Sequence, residues 1–342
     1  MTVPQAHAEQ LSLAIKVARL KDPRAYPQRP TRVDAIETHM SWVFLTDAYA
    51  YKVKKPACHA YLNFTTLAAR EWSCREELRL NQALAPGVYL DVVPLVTDAA
   101  GEMYVERDGE VVEWLVKMRR LPAERMLDHL IRAHEATPFD IERLAHVLVA
   151  FYRESSPVAL SAADYLARYR QMIAENERVL SASRYALSTL PVGKVHEALA
   201  RTLKRRADMF ARRVRERRVV EGHGDLRPEH VCLEARPVIF DRLEFNRELR
   251  IIDPVEEISF LAMECERLGA AFVGQVLFDA YARATGDNPP EALRRFYMAH
   301  RACVRARLAV LHVDDLPPPS WPKWLATAAD YLRMAEGYAC RP

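Results

Sequence analysis

The period of the hydrophobic pattern changes once along this chain, near residue 120, and this change constrains the fold more than any other feature. Before it, apolar and polar residues alternate, which predicts short strands at 31–37, 42–46, 48–53, 88–97 and 111–118. After it, apolar residues recur three and four positions apart, which predicts helices at 141–152, 162–181, 195–218, 255–268, 271–285, 290–312 and 323–337. The chain therefore combines a strand-rich part with a larger helical part.

One helix is expected inside the strand-rich part, at about 67–84, with Thr65 or Thr66 as its N-cap and Pro86 beyond its end. A length of 342 residues exceeds the size at which one hydrophobic core usually stops growing. We therefore predict an α+β, bilobal protein with a small antiparallel-sheet N-lobe at 1–118. A larger, mostly helical C-lobe is predicted at 119–342.

The composition argues against several classes of protein. Half of the residues are hydrophobic, 28% are charged and the formal net charge is +3, which by itself indicates no nucleic-acid or membrane partner. Residues 201–218 are rich in lysine and arginine, but Leu203, Ala207, Phe210 and Val214 make an apolar stripe, so the basic residues are expected on a solvated helix face.

The first 22 residues show no secretory signal, and no apolar stretch is long enough to span a bilayer. The six cysteines are scattered without a CxxC pair, which is typical of reduced thiols and favours a cytoplasmic location. The sequence says nothing about the oligomeric state.

A short β-like island at 219–241 interrupts the helical part and carries most of its distinctive polar residues. Asp225 and Asp241 each follow an apolar run, at positions where strand ends meet loops. Phosphoryl transfer needs such a pair, because one carboxylate accepts the proton of the attacking hydroxyl and another holds the metal ions. The alternatives are a loop carboxylate that caps backbone amides, for Asp225, and a buried ion pair, for Asp241.

Several segments together resemble a known family. HGDLRP at 223–228 is similar to the catalytic loop of the aminoglycoside phosphotransferase and choline kinase-like superfamily, which has the protein-kinase-like fold. VIFD at 238–241 resembles the strand that delivers its metal-binding aspartate. The segments 240–253, 37–45 and 51–56 resemble an uncharacterised bacterial branch of this superfamily, in which a P-loop domain often follows.

The resemblance covers roughly residues 30 to 338, and it implies an ATP-dependent (or GTP-dependent) phosphotransferase that uses Mg²⁺ and acts on a small-molecule hydroxyl acceptor. It also implies that His223 and Asp225 are the catalytic residues and that Asp241 is a metal ligand. Gly224 occupies the position of the arginine in the HRD signature, which argues against a protein kinase controlled by its activation loop.

One position departs from the family pattern. The catalytic loop usually carries an asparagine metal ligand five residues after the aspartate, and here that residue is His230. Magnesium prefers oxygen ligands, whereas imidazole suits softer metals. His230 could therefore be a metal ligand that favours Mn²⁺, a donor to phosphate, or the sign of a weakened site. The alternative function is a nucleotide-binding pseudokinase or regulatory module with little turnover.

The family fold also implies a nucleotide site in the N-lobe, where a strand lysine holds the phosphates and pairs with a helix glutamate. We expect this lysine to be Lys52, with Lys54 second, and its partner to be Glu76, with Glu77 as the rival. Other cofactor-binding candidates replace the missing glycine-rich loop or contact the adenine. They are Thr38, Ser41 and Met118.

The chemistry of the acceptor is less constrained. The acidic positions Asp253, Glu256, Glu257, Glu264 and Glu266 could attract a cationic acceptor. Asp253 could equally cap the helix that it opens, with Pro254 at the first helical position.

Overall fold

A computed structural model describes residues 11–59 and 62–340 of the chain. The first ten residues, which belong to the segment inspected for a secretory signal, lie outside the described residues. The chain divides into two compact units. Unit 1 comprises the described residues up to His129 together with His230–Leu249, and unit 2 comprises Leu130–Glu229 and the residues from Arg250 onward.

Unit 1 is built on a six-stranded antiparallel sheet with the strand order β1-β2-β3-β8-β6-β7. The strands predicted from the alternating pattern are confirmed, with shifted ends, and β7 is an addition. The bounds in this sheet are β1 Asp34–Glu37, β2 Ser41–Leu45, β3 Tyr49–Lys54, β6 Tyr89–Thr97, β7 Met103–Val105 and β8 Glu110–Arg119. A separate two-stranded pair consists of β4 Cys58–His59 and β5 Leu62–Asn63.

The two faces of this sheet pack into different clusters because alternate side chains of a strand point to opposite faces. Tyr51 and Val53 of β3 are buried in one cluster, which also receives Val17 and Leu20 of helix α1 (Leu13–Leu20). Ala50 is buried in the other cluster, beside Cys74 of helix α2 (Leu67–Asn81). The face of β3 that carries Ala50 is therefore the face turned towards α2.

Helix α2 begins as the sequence predicts and ends three residues earlier. Thr66 is its N-cap, and its side chain accepts a hydrogen bond from the backbone N–H of Ala69. This confirms one of the two caps considered.

The β-like island is divided between the two units. In unit 2, β9 (Val220–Glu221) pairs with β12 (Ile251–Ile252), whereas in unit 1 β10 (Val231–Cys232) and β11 (Val238–Ile239) form a hairpin. Cys232 and Val238 are buried in the α2-side cluster of unit 1, so the hairpin belongs to the core of the sheet unit. The division therefore differs from the boundary predicted after residue 118.

The remaining elements are helices, and all of them except α3 overlap a helix that the sequence predicts. They are α3 Leu127–Arg132, α4 Pro138–Glu154, α5 Ala162–Leu180, α6 Val192–Arg205, α7 Ala207–Arg215, α8 Pro254–Arg267, α9 Phe272–Thr285, α10 Glu291–Asp315 and α11 Trp321–Ala339. The helix expected at 195–218 is two helices, because the backbone leaves the helical region at Arg206. Within the described ranges no helix is long and apolar enough to cross a bilayer.

Two helix caps test the local reading of the sequence. Asp253 is the N-cap of α8, with its carboxylate accepting from the N–H of Val255 at 2.9 Å and with Pro254 at the first position, as predicted. Asp140 precedes the apolar pattern at 141–152, and the sequence predicts it as a possible cap of α4, but this prediction is wrong. Thr137 caps that helix and accepts from the N–H of Asp140 at 3.2 Å, because Pro138 already occupies the first helical position.

Candidate active site

Two lysines on β3 meet one glutamate on α2. Lys52 and Lys54 are two residues apart on a strand, so both point to the face that α2 covers. The Nζ atom of Lys52 lies 2.8 Å from one carboxylate oxygen of Glu77, and Lys54 donates to the other oxygen. The Glu77 side chain is completely buried. One carboxylate therefore contacts two ammonium groups, that of the buried Lys54 and that of the partly exposed Lys52.

The prediction that Glu76 is the partner of Lys52 is wrong, and Glu77 is the partner in the structure. Glu76 accepts from the neighbouring helix residue Arg79 at 2.7 Å, whereas Glu77 forms the ion pair with Lys52. Successive helical residues are separated by about 100° around the axis, so the two glutamates have different surroundings. The spacing of Glu77 from Cys74 and Leu80, three residues each way, places it among buried residues and was the available signal.

Asp241 is the second carboxylate of Lys52. It follows β11, and its Oδ1 atom lies 2.5 Å from the Nζ of Lys52. Its backbone has a φ of 61°, in the left-handed region that aspartate tolerates better than most residues. The N–H of Asp241 donates to the hydroxyl of Tyr89 at 3.0 Å, and the N–H of Arg242 donates to the side chain of Asn81 at 3.0 Å. Other residues of unit 1 therefore stabilise this turn in two ways, by accepting hydrogen bonds from its backbone N–H groups and by pairing with the side chain of Asp241.

The charges of this cluster shift the pKa values of its members. Burial alone would lower the pKa of Lys52, but Asp241 and Glu77 outweigh burial and raise it well above the ordinary value. Burial alone would raise the pKa of Asp241, but Lys52 and then His230 hold it far below the ordinary value. The pKa of Glu77 is lowered for the same reason, by Lys52 and Lys54 against burial. All three groups are therefore charged near neutral pH.

His230 stands beside Asp241, with its Nε2 atom 3.5 Å from the Oδ2 atom. Among the described residues, no group of three or more histidine, cysteine, aspartate or glutamate side chains could hold a metal ion. Mg²⁺ is usually held by one or two carboxylates together with substrate phosphates and water. The carboxylate of Asp241 is the kind of ligand that such a site uses, whereas the adjacent imidazole of His230 suits softer metals than Mg²⁺.

Glu244 is a site residue that the sequence reading did not single out. It accepts a hydrogen bond from Lys54 and another from the hydroxyl of Ser73, at 3.3 Å. Burial alone would lower the pKa of Lys54, but Glu244 and Glu77 raise it above the ordinary value. The segment after Asp241 is therefore tied to both α2 and β3. The only feature of the sequence that could have identified Glu244 is its position three residues after Asp241.

Three other cofactor-binding candidates lie in unit 1. Thr38 and Ser41 close the β1–β2 turn on each other: the hydroxyl of Thr38 donates to the carbonyl of Ser41 at 2.9 Å and accepts from its N–H at 3.0 Å. Met118 is buried near the end of β8, opposite Ala50 and Tyr89 in the ladder. The hydroxyl of Thr38 is thus engaged in shaping the turn.

The predicted catalytic loop lies in unit 2 and is held by a buried carboxylate. Glu257 of α8 accepts from the N–H of Gly224 at 2.7 Å and from the N–H of His223 at 3.0 Å. Tyr152 also donates to Glu257, at 2.8 Å. A Cβ atom at Gly222 would lie 2.8 Å from this carboxylate, so glycine is required by the close approach of loop and helix. The loop therefore has a fixed backbone.

Within this loop Asp225 is partly exposed and His223 is buried. The Nδ1 atom of His223 accepts from the N–H of Asp225 at 3.3 Å, and the carboxylate of Asp225 accepts from the guanidinium of Arg227 at 3.0 Å. The buried His223 ring therefore stabilises the backbone of the loop at Asp225. Asp225 presents its carboxylate next to an arginine.

Comparisons with known proteins show which sequences and structures are similar to this chain. No protein-family model matches the sequence. It is 29% identical over 314 residues to uncharacterised proteins of Mycobacterium tuberculosis and Mycobacterium bovis. The alignment covers 88% of this chain and 58% of theirs, so the chain spans little more than half the length of these curated relatives.

Two solved structures are similar over nearly the whole chain. A choline/ethanolamine kinase family protein from Mesorhizobium loti has a TM-score of 0.53 at 16% identity, covering 94% of each chain. The GDP complex of aminoglycoside 2′-phosphotransferase-IIIa has a TM-score of 0.52 at 15% identity, covering 90% of this chain and 93% of that one. The chain therefore has the kinase-like fold of these proteins, which confirms the α+β class and the fold that the sequence resemblance implied.

Proposed function

We propose that this protein is an ATP-dependent kinase that transfers the γ-phosphoryl group to a hydroxyl of a small molecule. The acceptor oxygen forms a bond to the γ-phosphorus, the bond from that phosphorus to the ADP oxygen breaks, and Asp225 takes the hydroxyl proton. Lys52 binds the nucleotide phosphates, and Glu77 orients Lys52. Asp241, with His230, would hold Mg²⁺ or Mn²⁺, which neutralises phosphate charge when bound. GTP is the alternative nucleotide.

The observation that carries this proposal is the position of Lys52 between two carboxylates. A lysine on the third strand, a glutamate on the following helix and an aspartate after a later strand are the parts that kinases use to position a nucleotide. Here Lys52 contacts Glu77 at 2.8 Å and Asp241 at 2.5 Å within one unit. The GDP bound to the aminoglycoside 2′-phosphotransferase with the same fold supports a nucleotide ligand here.

The second lysine adds a feature that suits the proposed role. If Lys52 moves towards a phosphate, Glu77 retains Lys54 as a charged partner, and Lys54 retains Glu244. A buried carboxylate that lost its only partner would cost several kcal/mol. The arrangement therefore lets Lys52 exchange partners without leaving Glu77 alone.

Nucleotide binding is the direct test. Magnesium-ATP should raise the melting temperature, because a ligand bound only by the native state stabilises that state. Lys52→Ala should weaken binding by about 10- to 100-fold, the loss expected for a charge-assisted hydrogen bond. The readout is the ATP-induced shift, since removing the ion pairs of Lys52 with Glu77 and Asp241 should also lower the melting temperature of the free protein.

Lys55→Ala is the matched control. Lys55 is next on the chain and pairs with Glu37, a residue exposed on β1, so its removal should leave the ATP-induced shift intact. If neither ATP nor GTP binds at millimolar concentration with Mg²⁺ or Mn²⁺, the proposed function is wrong.

His230 favours a second candidate, a nucleotide-binding module with little turnover. If the imidazole is a working metal ligand, activity should be higher with Mn²⁺ than with Mg²⁺, and His230→Asn should shift the preference to Mg²⁺. If the module is degenerate, the wild type should turn over with neither metal, while His230→Asn strengthens metal-dependent nucleotide binding. Measuring ADP release and nucleotide binding with both metals separates the two functions.

A further inference from the structure

Most of the acidic residues at the start of α8 and along it are buried and paired within the protein. Glu256 accepts from Arg301 at 2.8 Å, Glu257 holds the catalytic loop, and Glu264 lies 3.0 Å from Arg305. All three carboxylates are buried. Asp253 is buried in an ion pair with Arg213, and Glu266 accepts from Tyr338. Four of the five acidic positions are therefore buried in contacts with other residues, and Glu266 is exposed.

Solvent reaches two of the arginines that the buried carboxylates hold. The side chains of Arg301 and Arg305 are 14% and 22% exposed, against 6% and 1% for Glu256 and Glu264. Arg301 and Arg305 are four residues apart on α10, so they share one helix face. Each uses its Nε to reach its glutamate, and within the described residues the terminal nitrogens of both make no hydrogen bond.

Helix α8 connects these arginines to the catalytic loop. Glu257, which holds the loop, is adjacent to Glu256, which holds Arg301. Burial alone would lower the pKa of Arg305, but Tyr331, Glu264 and Asp225 raise it, and Asp225 also contributes to raising the pKa of Arg301 against burial. The two guanidinium groups are therefore electrostatic neighbours of the proposed base.

A third arginine, Arg227, is in direct contact with the proposed base. Arg227 contacts Asp225 at 3.0 Å and lies 3.9 Å from Glu229. Among the described residues, Arg227 is thus a partly exposed group in contact with the base, and Arg301 and Arg305 are partly exposed groups whose charges interact with it. Glu229 is an opposing carboxylate beside Arg227. Guanidinium groups bind carboxylates and phosphates through two parallel hydrogen bonds, which makes arginine suited to recognising such anions.

We infer that the acceptor carries an anionic group, a carboxylate or a phosphate, in addition to the hydroxyl that is phosphorylated, and that Arg301 and Arg305 bind this group. The inference rests on the proposed function and narrows its substrate class. Solved structures of the same fold include a protein of the choline/ethanolamine kinase family and an aminoglycoside phosphotransferase. An anionic acceptor would set this chain apart from the cationic compounds in those names.

A panel of matched acceptors tests the inference. The neutral compound is glycerol, its carboxylate counterpart is glycerate and its phosphate counterpart is glycerol 3-phosphate; glucose, gluconate and glucose 6-phosphate form a second set. Ethanolamine, choline and kanamycin form the cationic arm. ADP release is followed with magnesium-ATP, and binding of each compound is measured by calorimetry. We expect an acid to bind and react at least about 10-fold better than its neutral counterpart, and the two acidic arms distinguish carboxylate from phosphate.

Variants then assign the preference to the arginines. Arg305→Gln and Arg301→Gln should each raise the KM of the preferred acid by about 10- to 100-fold, and Arg305→Lys should restore part of that loss. Arg333→Gln is the matched control, because Arg333 is an exposed helix arginine paired with Asp330. Circular dichroism melting of each variant shows whether it is folded.

The inference is overturned if no acid exceeds its neutral counterpart, if a cationic acceptor is preferred, or if the arginine variants leave the acid KM unchanged. These results are separate from failure of the proposed function. When magnesium-ATP still raises the melting temperature, a failed acid preference removes the anionic acceptor alone. If no nucleotide binds, the proposed kinase function is wrong, and the inference of an anionic acceptor, which rests on it, is wrong as well.

Discussion

The two units hold their candidate catalytic carboxylates by different means. In unit 1, Asp241 and Glu77 are bound by the ammonium groups of Lys52 and Lys54. In unit 2, the loop that carries Asp225 is bound through its backbone, because the N–H groups of two loop residues donate to the buried Glu257. A lysine is a flexible chain with a compact charge that can change partners, whereas a backbone N–H moves only with the chain.

This difference matches the two proposed tasks. A group that binds phosphates must give up one partner for another when the nucleotide arrives. A general base must keep a fixed position, because proton transfer requires hydrogen-bond distance to one hydroxyl. The exchangeable contacts therefore lie where ligand exchange is proposed, and the backbone contacts lie where a fixed geometry is proposed.

Removing the proposed base should have the largest effect. Asp225→Asn should lower turnover by at least about 100-fold, since a positioned base contributes 10²–10⁴ in rate, while magnesium-ATP still raises the melting temperature. Rates of ADP release and thermal shifts on the same sample measure both quantities. Asp208→Asn, at an exposed position paired with Arg215, is the control. Near-normal turnover of Asp225→Asn would remove the assigned role.

Adjacent glutamates test whether the unit 1 cluster depends on one carboxylate. Glu77→Gln should lower the free energy of unfolding by about 3 kcal/mol, the low end for a broken buried ion pair, because each lysine keeps another carboxylate. Glu76→Gln, which breaks an exposed pair with Arg79, should cost less than about 1 kcal/mol. Chemical denaturation of both variants gives the difference. Equal losses would contradict the assignment of Glu77 as the bridging residue.

The two units should also respond differently to acid. The folded-state pKa of Glu77 is lowered, so its stabilisation is fully present above the unfolded pKa of about 4.3 and is lost as pH falls through the folded value. The stability difference between wild type and Glu77→Gln should therefore be constant above about pH 5 and shrink below about pH 4. Denaturation curves between pH 3 and pH 7 measure this.

His300 on α10 should act at higher pH. Burial lowers its pKa well below the ordinary value, and Arg301, Arg307, His196 and Arg168 add to that effect. The unfolded chain then binds a proton near pH ~6.5 that the folded chain does not. Stability should fall by about 1 kcal/mol between pH 6.5 and 5.5, and His300→Gln should remove this loss.

The exposed His146 provides the control for this measurement. His146→Gln should leave the pH dependence between 6.5 and 5.5 unchanged. If His300→Gln also leaves it unchanged, the buried histidine is not the source of acid sensitivity in unit 2.

The sequence determined the elements and much of the candidate site. Alternating residues predicted the strands of the sheet, and the cap at Asp253 followed from its position before Pro254. Lys52 and Lys54 were selected by resemblance to the family's strand. Strand geometry places residues two apart on one face, and both lysines do reach Glu77. Such features depend on neighbours in the chain, so local periodicity is enough to predict them.

Only the tertiary structure decided which charges meet. Glu76 and Glu77 are adjacent on α2, and the packing of α2 on the sheet buries Glu77 against Lys52 while Glu76 pairs with Arg79. Glu244, more than 160 residues from Ser73 in the chain, joins α2 through a turn that no local pattern predicts. The sequence left Glu256, Glu257 and Glu264 available to a ligand, but in the structure α10 and the loop at 223–224 supply their partners. Ion pairs between distant segments depend on how elements pack, because an interaction energy is set by distance in space and not by separation along the chain.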